Sequence, residues 1–300
     1  MTNSWKISAA IAALALALPA ASAQTPQTPQ TPQTPPPPPG PAYAMPQTQM
    51  FETTSDGGET YRIFVSYPKG EPPAGGYPVL YVIDGNAYFA SFAETRRLLE
   101  YAEKGKALVV GVGYPTDEAY DARRTADFLF PVPTEGPPAQ AKSQPGATNT
   151  GRDKFLAFLT GKLRAEIGKR YRIDPDRQSL FGHSFGGLFA LHALYARPDA
   201  FQAIVAASPS LEWNVQDLLR EERSFAAKLA EGKIARTSRL MLVAGEQDSD
   251  DDPEPARALA ARLDALSAHG LGTRYRLYQD EIHMTVPVRA VTDTLRFVFR

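Results

Sequence analysis

The chain has 300 residues, with 32 lysines and arginines against 33 aspartates and glutamates, and it contains no cysteine. Charges this balanced leave no basic footprint for nucleic acid. The missing cysteines exclude disulfides, thiolate metal ligands and a lipidated cysteine anchor.

In residues 1–23 a single lysine, Lys6, precedes an apolar stretch from Ile7 to Leu18 and then Pro19-Ala20-Ala21-Ser22-Ala23. This is the pattern of a secretory signal peptide. Roughly 12 apolar residues are too few to span a bilayer core of about 30 Å, so the expectation is cleavage, a periplasmic or secreted protein and no stable membrane insertion afterwards. Residues 24–46 read as a spacer: the Thr-Pro-Gln repeats and then Pro35 to Pro39 of the stretch Thr25 to Pro41 favour polyproline II, and at about 3.1 Å per residue that stretch reaches on the order of 50 Å. Residues 47–300 have the length of one α/β domain.

Within that domain Arg62 to Tyr67 alternates and predicts an early antiparallel strand. Pro78 to Ile83 and Ala107 to Val112 are near-continuously apolar, as strands covered on both faces are, and Ala90 to Lys104 between them is helix-like. The segment 114–151 is rich in Pro, Gly and Thr and too long for a plain connector, which predicts a lid over a site. A helix is expected from Asp153 to about Tyr171, with Phe155, Phe158, Leu159, Leu163 and Ile167 on one face. Further strands are predicted at 179–183, 203–207, 240–244 and 274–278, and Pro287 opens a closing helix carrying Val288, Val291, Leu295 and Val298. Alternating strands and helices imply a mostly parallel, doubly wound sheet flanked by helices, with a site at the carboxyl ends of its strands.

Gly182-His183-Ser184-Phe185-Gly186-Gly187 lies between the strand at 179–183 and an unbroken helical run from Leu188. Glycines two before and two after a serine, at a strand-to-helix turn, permit the sharp elbow that exposes a nucleophilic hydroxyl. Four histidines compete to be its base. His183 adjoins the nucleophile and points to the opposite face of the strand; His192 is roughly 12 Å along the next helix; His269 precedes Gly270 at a helix end, where it serves terminal carbonyls. His283, in the loop after the last strand, remains. Of the acids after residue 244, Asp248 is the first choice to orient it, with Glu246 and Asp250 as rivals. Asp248, Asp250 and Asp252 imitate a calcium loop, but Pro253 and Leu259 occupy its glycine and glutamate positions, so no metal is expected. An oxyanion hole would draw on the Phe185 amide and on Gly85 or Asn86 after the 78–83 strand.

At these residues the chain resembles the "Putative esterase" family of α/β-hydrolases that includes the ferric enterobactin esterases, with more distant relatives among feruloyl esterases and mycolyltransferases. The matching pieces are Tyr77 to Gly85, Val110 to Pro115, Arg123-Arg124 with Asp127-Phe128, Tyr171 to Asp174, the elbow, and Ser208-Pro209-Ser210 with Trp213. The resemblance implies an α/β-hydrolase fold and a cofactor-free serine esterase with Ser184 as nucleophile and His283 as base; it leaves open whether Asp248, another acid or none completes the set. It also implies a small-molecule ester substrate, a catecholate siderophore being one candidate. Cations and aromatic faces would recognise such a substrate, and Arg123, Arg124 and Trp213, with Arg152, Tyr88, Phe89 and Phe128, are the candidates. In the plainer alternative Arg124 pairs with Asp127 and fixes its loop. An acyltransferase, or a hydrolase of acyl, aryl or carbohydrate esters, is the alternative within this chemistry. A non-catalytic binding module would not need the serine, the glycines and His283 together.

Overall fold

The computed structural model describes residues 43–102, 105–129, 151–213, 215–248 and 253–300. The expected signal peptide, all but the last four residues of the spacer, and residues 130–150 of the expected lid lie outside these. Met45–Arg300 is a compact unit built on an eight-stranded sheet in the order β1-β2-β4-β3-β5-β6-β7-β8. The strands are β1 (Thr48–Thr54), β2 (Thr60–Ser66), β3 (Tyr77–Ile83), β4 (Leu108–Gly113), β5 (Ile173–His183), β6 (Ala203–Ala207), β7 (Arg239–Gly245) and β8 (Thr273–Tyr278). β1 and β2 pair antiparallel, β2 joins β4 antiparallel, and all later neighbours are parallel.

Side chains alternate across this sheet, so each central strand feeds two cores. Val79, Tyr81 and Ile83 of β3 and Leu240, Leu242 and Ala244 of β7 face one core, shared with Phe155, Leu163, Phe189, Phe225 and Leu259. Leu80, Val82, Met241 and Val243 face the other, with Phe92, Val291, Leu295 and Val298. The helices divide accordingly. α1 (Gly85–Leu99), α8 (Val286–Arg289) and α9 (Val291–Val298) cover the second face. On the first lie α3 (Gly151–Phe158), α4 (Arg164–Arg170), α5 (Phe185–Ala196), α6 (Val215–Ala230) and α7 (Pro253–Asp264), with the short α2 (Arg124–Phe128) beside them. Covering both faces is what permits the continuous apolar runs of β3 and β4, in which every residue is buried.

Four features depart from the sequence reading. β1 was not anticipated, because TQMFETT at the sheet edge buries little. α1 begins at Gly85, five residues before the expected start. The expected helix after Asp153 is α3 and α4 joined through a π-helical turn, Leu159–Leu163, which keeps its apolar face continuous. The closing helix is two pieces, and Val288 points outward while Val291, Leu295 and Val298 are buried.

These placements make opposite demands on two aliphatic side chains. Leu163 is 0% exposed and Val288 56% exposed. Leu163→Ala should cost about 3 kcal/mol through the cavity it leaves, and Val288→Ala less than about 0.5 kcal/mol; chemical denaturation of the two variants measures both.

Candidate active site

All the site residues lie at the carboxyl ends of strands. β5 ends at His183, and the chain reverses at Ser184, whose φ of 57° and ψ of −121° are strained for any residue with a side chain. The backbone holds the reversal: the Ser184 amide donates to the Ala207 carbonyl at 3.0 Å, and the Leu188 amide donates back to the Ser184 carbonyl at 3.0 Å. Gly182 is obligatory, since a Cβ there would sit 2.0 Å from the Gly186 carbonyl oxygen. The Ser184 hydroxyl lies 3.2 Å from that of Ser210.

His283 and Asp248 meet at the ends of β8 and β7. His283 Nδ1 is 2.7 Å from Asp248 Oδ1, and the Ser208 hydroxyl donates to Asp248 Oδ2. Burial alone would raise the Asp248 carboxyl, but the hydrogen bonds from His283 and Ser208 outweigh it and hold it below the ordinary carboxylate range. An ionised Asp248 only accepts, so Nδ1 carries the His283 proton and Nε2 the lone pair of the neutral ring. Glu246 instead accepts from the Asp280 amide at 3.2 Å; Asp250 lies outside the described residues. Among the described acids, Asp248 is the one His283 engages.

His183 lies beneath the elbow, as its place on the strand predicts, and is buried. Its Nε2 is 2.9 Å from the main-chain carbonyl oxygen of His283, which can only accept, so Nε2 carries the proton. Nδ1 must then accept from the Tyr88 hydroxyl at 2.8 Å, and Tyr88 in turn accepts from Tyr120. Burial, with the adjacent His283, pushes His183 down to about 3, so the ring stays neutral. Sequence reasoning placed His183 but not this bond, because nothing local connects residues 183 and 283.

The turn after β3 abuts the elbow: a Cβ on Gly186 would lie 3.4 Å from Asp84 Oδ2. Asp84 sits in the left-handed region, with φ of 54°. Gly85 packs against β4 so closely that a Cβ would come within 2.7 Å of the Val112 nitrogen. The Asn86 side chain holds the end of β4, accepting from the Tyr114 amide at 2.8 Å and donating to the Tyr114 and Thr116 carbonyls. The Phe185 amide opens α5 and the Gly85 and Asn86 amides open α1, where no intrahelical acceptor exists.

The expected substrate contacts divide. Arg124 pairs with Asp84 through two hydrogen bonds of 2.8 and 2.7 Å, not with Asp127. Asp127 is taken by the Tyr61 and Tyr114 hydroxyls, and burial raises its carboxyl to about 6. The Arg124 guanidinium still lies 5.2 to 5.3 Å from the Tyr120, Phe128 and Phe185 ring centres, beside the elbow. Arg123 donates to the Thr60 carbonyl and lies over the Tyr114 ring, tying its loop to β2. Trp213 packs on Phe185 with ring centres 5.0 Å apart and is partly exposed. Arg152 is occupied by Glu221, Tyr88 by His183, Phe89 by Phe64, and Phe128 is in the core. His192 contacts Glu221 and Asp153, and His269 precedes Gly270 at φ 95°.

Comparison with known proteins agrees with this geometry. Residues 55–282 match the family model described as "Putative esterase". The chain is 34% identical over 264 residues to the ferri-bacillibactin esterase BesA of Bacillus subtilis (strain 168), covering 85% of this chain and 91% of that protein. It is 37% identical over 184 residues to a siderophore enterobactin esterase of Emericella nidulans, covering 57% of this chain and 60% of that one. The crystal structure of the BES protein from Bacillus cereus superposes with a TM-score of 0.76 at 32% identity, over 86% of this chain and 98% of that one. With an eight-stranded, mostly parallel sheet and a match that spans most of its length, the chain belongs to the "Putative esterase" family of α/β-hydrolases, a family of carboxylic ester hydrolases.

Proposed function

We propose that the protein is an exported serine esterase that hydrolyses siderophore esters through an acyl-enzyme. The observation that carries this reading is the Asp248–His283 hydrogen bond of 2.7 Å, in the loops after β7 and β8, at the same end of the sheet as the strained Ser184 elbow that follows β5. Ser184 Oγ attacks the ester carbonyl and its proton passes to His283 Nε2, while Asp248 holds the ring in that tautomer and stabilises the imidazolium. The amides of Phe185 and of Gly85 or Asn86 take the oxyanion. The imidazolium then protonates the departing alkoxide, and water, deprotonated by His283, releases the acid.

The substrate class rests on the relatives named for ferri-bacillibactin and enterobactin, which share 34% and 37% identity with this chain. The Phe185 ring, next to the serine, and the partly exposed Trp213 ring packed on it offer aromatic faces that suit a ring-rich ester. Export is read from residues 1–23 alone: the mature N-terminus is expected at Gln24, and intact-mass measurement of protein from a periplasmic extract checks it.

Wild type and Ser184→Ala, assayed on nitrophenyl esters and on apo and ferric enterobactin with products read by mass spectrometry, test the core of the reading. Turnover should fall at least about 10³-fold in Ser184→Ala and about 10²-fold or more in Asp248→Asn. Trilactone cleavage no faster than simple-ester cleavage would withdraw the siderophore assignment and keep the mechanism.

Turnover should also decline in acid, because protonated His283 cannot accept the serine proton. His183, neutral down to about 3, adds no second ionisation to that profile. His183→Ala should lower kcat about 10- to 100-fold by loosening the His283 main chain, with little change in KM. The pH profile should keep its midpoint, and His183→Gln, which restores a donor, should recover part of the loss.

A further inference from the structure

The opposite end of the sheet carries a second feature, unrelated to ester chemistry. Arg239 opens β7 and Arg274 stands on the neighbouring β8, on the face that α9 covers, and both guanidinium groups lie over the Phe297 ring, at 5.0 and 5.7 Å from its centre. Arg177 approaches from β5 and donates to the Phe299 carbonyl at 3.3 Å. Arg296, on α9, and Arg300 complete the group. Arg296 and Arg300 line two adjoining cavities at once: one of about 510 Å³ shared with Lys106 and Arg177, and one of about 340 Å³ shared with Arg274 and Arg276.

The charge here is one-sided. The whole chain balances 32 basic residues with 33 acidic ones, yet among the described residues Arg177, Arg239, Arg274, Arg296 and Arg300 form no ion pair. Asp293, the one acidic side chain lining either cavity, is taken by Arg276 and the Tyr278 hydroxyl. Burial, together with the charges of Arg274, Arg300 and Arg177, lowers the Arg239 pKa, the signature of cations crowding one another. Gathering like charges around partly buried space costs free energy that a bound anion would return. Guanidinium groups present planar forks that match phosphate oxygens, and several converging on one cavity favour a compact anion of more than one charge.

We propose that the amino ends of β5, β7 and β8, with α9, form a binding site for a phosphate-bearing anion, either a soluble diphosphate or the phosphate headgroup of a lipid. The site is separate from the Ser184 region and its occupancy does not depend on the esterase reading.

Titration calorimetry of the whole protein with inorganic pyrophosphate, and co-sedimentation with phosphatidylcholine vesicles with and without phosphatidic acid, test the proposal and separate the two sources. Arg274→Gln/Arg296→Gln is the variant, chosen because both side chains are exposed. Wild type should bind one pyrophosphate saturably, more weakly as salt rises, and gain melting temperature with it. The variant should lose about tenfold or more in affinity and keep nitrophenyl-ester turnover within about twofold. Binding to pyrophosphate alone assigns a soluble ligand, and phosphatidic acid-dependent sedimentation that the variant loses assigns a lipid. Binding of neither probe, or equal binding by wild type and variant, overturns the proposal.

Discussion

The reversal of the chain at Ser184 sets where every other site residue must be. A residue with a side chain at φ 57° and ψ −121° costs on the order of 1–3 kcal/mol, and it persists because the surroundings fix it from several directions. Gly182 brings the strand within contact of the Gly186 carbonyl, the Ser184 amide is bound to β6, and the Asp84 side chain lies against Gly186. Because β5 is flanked by β3 and β6, the turn after β3 and the Ser208-Pro209-Ser210 segment after β6 arrive on either side of the serine.

His283 depends on the same elbow by a second route. Its ring is bound by Asp248 and its main-chain carbonyl by His183, the residue before Ser184. Proton directions are fixed along this chain. The His283 carbonyl can only accept, which makes Tyr88 a donor to His183 and Tyr120 a donor to Tyr88. Ser184 and the loop of His283 are thus tied through a neutral, buried imidazole, and a shift of β5 would move both together.

The central strands were legible because burial on both faces leaves almost no polar residue in them, and periodicity within a helix exposed the Phe155 to Ile167 face. Edge strand β1 carried no such signal. Ser184 and His283 could be nominated because glycine spacing and elimination are local or countable arguments. Asp248 could be ranked first but not separated from its neighbours, since a loop sequence does not say which carboxylate turns inward. Arg124 shows the same limit: Asp127 stands three residues away, whereas its partner Asp84 is 40 residues distant in sequence and becomes a neighbour only because β3 and β4 pair. His183 and His283 are 100 residues apart, and their bond follows from the order of strands rather than from any motif.

Charge satisfaction separates the two ends of this sheet. At the carboxyl ends the buried charges come in pairs: Arg124 with Asp84, and Asp248 with His283 and Ser208. Helix-borne arginines on the same side of the fold follow the rule, Arg152 with Glu221 and Arg262 with Glu222. Removing one partner from such a pair leaves a charge with no compensation, which is why these arginines are better understood as parts of the scaffold than as ligands for substrate. At the amino ends the rule lapses: Arg239 and Arg274 lie over the Phe297 ring, Arg177 on the Phe299 carbonyl, and Arg296 and Arg300 line the same cavities. Five like charges gathered with no ion pair among the described residues are a cost that packing does not require. An anion drawn from solution or from a surface is the simplest compensation for it.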